Sequence, residues 1–165
     1  MKLIKLAVIS AIVLFVIITL ISLLLPSNVL VSRAVDARTS VSNVKAKTFN
    51  LANWKEWMTD ASGSAAGITM DGSSIDIAGT RITPKATSDS TFITQWESSN
   101  NKLLSTFRII KHDNTDSLIT VQWQMEQKVK WYPWEKFASI TKDEIWGGAM
   151  EKSLETLKKV LESNK

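Results

Sequence analysis

Hydrophobic and polar positions divide the chain into three regimes. From Leu6 to Leu25 it reads LAVISAIVLFVIITLISLLL, 20 residues with no charge, glycine or proline. As a helix this run rises roughly 30 Å, the hydrocarbon thickness of a bilayer. The hydroxyls of Ser10, Thr19 and Ser22 return to the helix's own carbonyls, and Pro26 with Ser27 ends the run. A second regime alternates with period two. Val29 to Val35 puts Val29, Val31 and Arg33 on one face and Leu30, Ser32 and Ala34 on the other, a strand pattern. Thr91 to Glu97, Lys102 to Lys111 and Ser117 to Lys130 are also strand-like, joined by the turn signals Ser98–Asn101 and His112–Asp116. The third regime is helical. Trp146, Met150, Leu154, Leu157 and Leu161 make one apolar face of a helix over Asp143–Leu161, while Lys152, Glu155, Lys158 and Glu162 lie elsewhere on the cylinder.

Shorter elements fill the gaps. Thr39 or Ser40 offers an N-cap, and Val41, Val44, Thr48 and Leu51 follow at helical spacing. Asn50–Met58, NLANWKEWM, continues as a short helix or turn carrying Trp54 and Trp57. Between Asp60 and Asp89, β-prone pieces (Ile68–Met70, Ser74–Ile77, Thr80–Thr83) are separated by Asp-Gly, Ala-Gly and Thr-Pro turn signals. Pro133 starts a helical segment to about Ile140, and Thr141 with Glu144 reads as a capping box for the last helix. The order is apolar helix, strand, two short helices, a run of antiparallel strands and a long closing helix, an α+β pattern. A long amphipathic helix needs an apolar surface, and an antiparallel sheet has one face to give. A helix laid across a curved sheet satisfies both and tends to leave a cavity between them.

Composition narrows the function. The chain has 165 residues and no cysteine, which removes disulfides, thiolate nucleophiles and cysteine metal sites. The formal charge is +4, and leaving out Lys2 and Lys5 gives +2, 18 basic against 16 acidic. With no zinc-finger spacing, RNP-like aromatic motif or long basic run, nothing points to nucleic acid. The apolar run outlasts the core of about 7 to 15 residues of a cleaved signal peptide. The nearest small-x-small site, Ser32-Arg33-Ala34, falls inside a strand. The pattern therefore favours an uncleaved anchor over residues 1–26 and a domain over 27–165, with secretion after cleavage as the alternative. Lys2, Lys5 and the terminal amine place the N-terminus in the cytoplasm and the domain outside, whereas Arg33, Arg38, Lys45 and Lys47 pull the other way.

Particular segments resemble a known group. LLLPSNVLVSRAVDA is similar to the anchor and first strand of membrane-anchored bacterial members of the SRPBCC superfamily, the START-like, polyketide cyclase/dehydrase-like proteins. Leu51, Asn53, Trp54 and Trp57 match the group's D-L-x-N-W-x-x-W stretch, and Val121-Gln122-Trp123 its V-x-W strand. Tyr132-Pro133-Trp134 and the stretch from Gly147 to Lys158 resemble its link and closing helix, whereas residues 63–81 lack the aromatic Y-x-W character of relatives. The resemblance covers about residues 20–58 and 117–162. It implies a helix-grip fold, in which a curved antiparallel sheet grips the long C-terminal helix, and a membership that includes binders, cyclases and activators.

The residues expected to line a cavity under the closing helix are Trp57, Phe107, Val121, Trp123, Met125, Trp146, Met150 and Leu157. For each, plain core packing is the competing reading, because core and cavity share a face in this fold. Arg108 alternates with Phe107 and Ile109 and points outward; a register slip of one residue would bury it as a polar anchor for a carboxylate or phosphate. Trp96, Trp131 and Trp134 are expected either to pack or to rest in the headgroup region beside the anchor. His112, the only histidine, stands in the KHDNTD turn, so it reads as solvated rather than as a general base. No metal site and no cofactor are expected. The leading function is a membrane-tethered module binding a small hydrophobic or amphipathic ligand, a lipid or polyketide-like compound. The alternatives are a cyclase- or hydrolase-like enzyme, for which only Arg108, Arg81 and Glu97 offer ionisable groups, and a ligand-free protein that recruits a partner to the membrane.

Overall fold

The computed structural model describes residues 2–59, 67–99, 101–112 and 118–163. The apolar run forms helix α1 (Lys2–Leu24), long and apolar enough to cross a membrane. Strand β1 (Asn28–Arg38) follows after a three-residue link and is longer at its C-terminal end than the alternation alone predicted. Helix α2 (Val41–Thr48) starts at Ser40, whose hydroxyl accepts the Asn43 N–H at 3.2 Å. A 3-10 turn (Leu51–Glu56) then carries the tryptophan pair, opened by the Asn50 carboxamide accepting from the Ala52 N–H. Strands β2 (Ile68–Asp71), β3 (Ser74–Ile77), β4 (Thr80–Thr87), β5 (Thr91–Ser98), β6 (Asn101–Lys111) and β7 (Leu118–Lys128) complete the sheet. Segment 60–66, residue 100 of the expected Ser98–Asn101 turn, residues 113–116 of the expected His112–Asp116 turn and residue 117 lie outside the described residues. Helices α3 (Pro133–Ser139) and α4 (Lys142–Ser163) close the chain.

The seven strands form one curved antiparallel sheet in the order β1-β7-β6-β5-β4-β3-β2. Each strand after β1 is a hairpin neighbour of the next, and β1 pairs with β7 along its whole length, from Asn28 opposite Lys128 to Arg38 opposite Leu118. The register puts one residue set on the concave face: Val31 and Ala37 from β1, Phe107 and Ile109 from β6, Ile119, Val121, Trp123 and Met125 from β7, all buried. Arg108 is exposed on the convex side, so the outward register holds and the buried-anchor alternative does not.

Helix α4 runs along β1 in the same direction. At its start the Arg33 guanidinium lies across the helix, bonded to Asp143 (3.2 Å) and to Glu151 (2.6 Å). Between those carboxylates sits Gly147, where a Cβ would come within 2.2 Å of an Arg33 nitrogen. Glycine here makes room for the cation. At the far end the Arg38 N–H donates to Glu162. The expected capping box is replaced by a different contact, since the Thr141 hydroxyl donates to the Ala138 carbonyl at 3.1 Å and ties α3 to the start of α4.

The middle and far part of the groove under α4 is solid. The 3-10 turn drives Trp54 and Trp57 into the sheet, where they meet Phe107 edge-on at 5.5 and 5.8 Å. Phe107 stacks on Trp123 at 4.9 Å, and Phe92 and Phe49 extend the cluster. Every indole N–H in it is satisfied. Trp54 donates to the Thr48 carbonyl, Trp57 to the Lys47 carbonyl, Trp96 to the Thr94 hydroxyl and Trp123 to the Ser105 hydroxyl. An unpaired indole here would cost about 1–3 kcal/mol, so Thr94 and Ser105, both wholly buried, are polar residues the aromatic packing requires.

Two expectations follow. Phe107→Ala, at the centre of the cluster, should lower stability by about 3–5 kcal/mol, whereas Trp131→Ser, on the exposed link, should change it by less than about 0.5 kcal/mol in denaturant unfolding. Alanine is the better helix former by about 1 kcal/mol. Gly147→Ala should therefore stabilise an Arg33→Ala background by about that much, and should lose this gain when Arg33 is present. Equal effects in both backgrounds would mean that the guanidinium does not need the glycine.

Candidate functional site

A cavity of about 590 Å³ occupies the other end of the groove, within the range of about 300–1,000 Å³ that takes small molecules. It lies where β1 begins and β7 ends. Its walls come from the start of β6 (Asn101, Leu103), the end of β5 (Trp96, Ser98), the β3–β4 hairpin (Ile77, Thr80), the end of β7 (Trp123, Met125, Gln127), the first half of α4 and the α3–α4 link. The strand register brings these together: Ser98 lies opposite Asn101, and Ser105 opposite Met125. The apolar body is thus Met58, Trp96, Leu103, Met125, Trp146 and Met150.

Of the residues expected to line a cavity, Trp123, Met125, Trp146 and Met150 do so. Trp57, Phe107, Val121 and Leu157 lie on the same face but stop short of the cavity, packed at 0–1 % exposure in the core. The alternation fixed which way they point. It held no information on how far along the groove the 3-10 turn would fill the space. Arg108 and Arg81 are exposed, Arg81 pairing with Asp71 at 2.9 Å. Glu97, held below the usual carboxylate range by the Lys102 ammonium and the Gln95 amide, stands on the convex face with them. His112 is exposed and shares its Nε2 with the Thr120 hydroxyl.

The sequence reading did not single out the polar end of the cavity. Gln127, 5 % exposed, continues the inward set of β7. Its amide nitrogen donates to the Asn101 side-chain oxygen at 3.1 Å, and its amide oxygen accepts from the Lys142 ammonium. Lys142 also stands over the Trp146 ring, 5.5 Å from its centroid. Among the described residues no carboxylate lies within ion-pair distance of it. Burial pushes its amine below the ordinary lysine range, partly opposed by the charge of Glu135. The signal available in the sequence was Gln127 falling on the apolar face of β7, a polar residue at an inward position.

No protein-family model matches the sequence, and no curated protein matches it significantly. Solved structures do share the fold. XoxI from Bacillus cereus aligns over 80 % of this chain and 94 % of its own, with a TM-score of 0.57 and 13 % identity. A START superfamily protein from Mycobacterium smegmatis aligns over 82 % and 99 %, with a TM-score of 0.53 and 11 % identity. The di-domain ARO/CYC protein BexL of the BE-7585A biosynthetic pathway matches over 82 % of this chain and 50 % of its own, at 0.58 and 7 %. Sheet order, the gripped C-terminal helix and these likenesses together identify the chain's architecture as a helix-grip fold, shared with these solved START superfamily and ARO/CYC proteins.

Proposed function

We propose that residues 27–165 form a binding module for a small amphipathic ligand with an acidic head, held at a membrane by α1 as an uncleaved anchor. The observation that carries this reading is the cavity itself: about 590 Å³, apolar through its body and ended by one ammonium. A hydrocarbon or fused-ring body would rest among Met58, Trp96, Met125, Trp146 and Met150. A carboxylate or phosphate at the mouth would take the Lys142 ammonium, with the Gln127 and Asn101 amides beside it. Lys142 has no acidic partner among the described residues, so an anionic ligand supplies the counter-charge that the fold withholds. The solved START superfamily and ARO/CYC neighbours speak for the fold alone at their identities, so the reading rests on this chain's own cavity.

The cavity disfavours the two alternatives. A ligand-free recruiting protein would have this space filled, yet it exceeds one aromatic ring. A cyclase- or hydrolase-like activity needs an acid–base arrangement facing the substrate; Arg108, Arg81 and Glu97 all stand outside the cavity, and among its described lining residues Lys142 is the one ionisable group.

In nanodiscs, the full chain should bind palmitate and hexadecanol, displacing a fluorescent fatty acid. Lys142→Met should weaken palmitate by about ten-fold or more, since a hydrogen bond to a charged group contributes about 1.5–3 kcal/mol, and should leave hexadecanol nearly unchanged. Failure of the wild-type chain to bind either would end the proposal. Burial holds the Lys142 amine below its ordinary range, so its charge costs the fold stability below the folded-state value, and that cost is relieved as pH rises through that value towards the unfolded one. Without ligand, the stability of wild type relative to Lys142→Met should therefore rise as pH enters the ordinary lysine range.

A further inference from the structure

Outside α1, five of the eight large exposed apolar side chains among the described residues gather around helix α3, while Leu30, Met70 and Ile110 stand singly on the sheet. Trp131 and Trp134 are 61 % and 62 % exposed, Ile140 61 % and Phe137 40 %. All four belong to helix α3 or the segments flanking it. Trp134 and Phe137 share its outer face, while Pro133, Lys136 and Ser139 turn inward and are buried. Tyr132 stacks on Trp134 with ring centroids 5.0 Å apart and planes 5° from parallel, which makes a flat aromatic surface of side chains that the protein itself does not cover. Ile145, one turn into α4 and 59 % exposed, adjoins them at the cavity wall.

The position of α3 says what covers this surface. The Lys136 ammonium donates to the Leu25 carbonyl and to the Ser27 hydroxyl, both at 2.8 Å. Leu25 is the last residue of the apolar run, so α3 is fixed at the level where α1 would leave the hydrocarbon. The Val129 N–H donates to the Ser27 carbonyl at 2.8 Å, bringing the link before α3 to the same level. Tryptophan and tyrosine favour this depth of a bilayer, with the ring in the headgroup layer and the polar edge wet. The cavity is at this end too. Ala138 and Thr141 of the α3 segment are part of its wall, and Lys142 stands one residue further.

We infer that the outer face of α3, with Trp131, Trp134, Phe137 and Ile140, lies on the bilayer that holds α1, so that the cavity mouth opens at the headgroup layer and exchanges its ligand directly with the lipid. The inference rests on α1 being a membrane anchor and adds to it a second, interfacial contact. It gives Lys142 a physical role in exchange: an ammonium at the mouth stands at the depth of lipid phosphates and fatty-acid carboxylates, while the acyl chain faces the apolar interior.

The chain has no cysteine, which permits a direct test with single-cysteine variants of the full chain in nanodiscs of phosphatidylcholine and phosphatidylglycerol. A bimane label is placed by Phe137→Cys on α3, by Arg108→Cys on the convex sheet face, and by Val13→Cys in the middle of α1. Lipids carrying a doxyl group near the head should quench the Phe137 label several-fold more than the Arg108 label, and aqueous iodide should show the reverse order. Mid-chain doxyl lipids should quench the Val13 label. If the Val13 label is quenched while that at Phe137 is open to iodide and no more lipid-quenched than that at Arg108, the α3 contact is wrong and the anchor stands. A Phe137 label shielded from both quenchers would give the face to a protein instead and overturn the inference. An unquenched Val13 label would remove the anchor, and this inference with it. As a second measurement, combined Trp134→Ser and Phe137→Ser should slow uptake of a pyrene-labelled fatty acid from donor vesicles several-fold while leaving its equilibrium affinity unchanged. An unchanged rate would contradict direct exchange with the bilayer.

Discussion

The architecture depends on one packing event: Trp54 and Trp57, carried on a single 3-10 turn, wedged against Phe107 and Trp123 at the middle of the sheet. Aromatic pairs of this geometry add about 0.5–1.5 kcal/mol each beyond the area they bury, and here several share members. The wedge sets the distance between α2, the 3-10 turn and the sheet, and it fills the groove from its middle to the end where β1 finishes. Large side chains from the α2 side stop at Met58. Among the described residues nothing of that size fills the remaining groove beneath the first half of α4. The cavity is therefore the complement of the wedge.

Polar groups follow from the same division. In the filled part, each polar atom has a fixed protein partner: indole N–H groups on the Thr94 and Ser105 hydroxyls and on carbonyls of α2. In the open part, Asn101, Gln127 and Lys142 bond one another in a short chain whose cationic end has no acidic partner among the described residues. A satisfied buried network rigidifies, whereas a half-buried cation without a counter-charge costs stability. The fold thus keeps its tightest packing at one end and its open space with a cationic end at the other, with Arg33 lying over Gly147 to hold α4 along β1 between them.

Much of the fold was legible because period and turn chemistry act locally. The inward set Ile119, Val121, Trp123 and Met125 and the stripe Trp146 to Leu161 follow from periods of two and 3.6, and the strands of the 68–83 region from their Asp-Gly and Ala-Gly turns, where Gly72 and Gly79 take the left-handed backbone. Depth along the groove was not legible. Trp57 and Phe107 point the expected way, but whether they meet each other or empty space depends on a tertiary approach that no local pattern encodes. Lys142 was hidden for a different reason. Followed by Asp143 and Glu144 at the start of a helix, it reads as part of a solvated first turn, and only β7 arriving with Gln127 makes it a cavity group. Trp131 and Trp134 could pack or face lipid on sequence grounds, and the structure leaves both outside the core.

The seven tryptophans report on this division one by one. The most direct measurement is a palmitate titration of the full chain in nanodiscs, followed through the individually assigned indole N–H resonances. The account predicts that Trp96, Trp123 and Trp146 shift with ligand, and that Trp54 and Trp57 stay in place and remain protected from hydrogen exchange throughout. Ligand-dependent shifts at Trp54 and Trp57, or exchange of their indole protons at the rate of exposed tryptophans, would show that the wedge is not solid and would contradict the account.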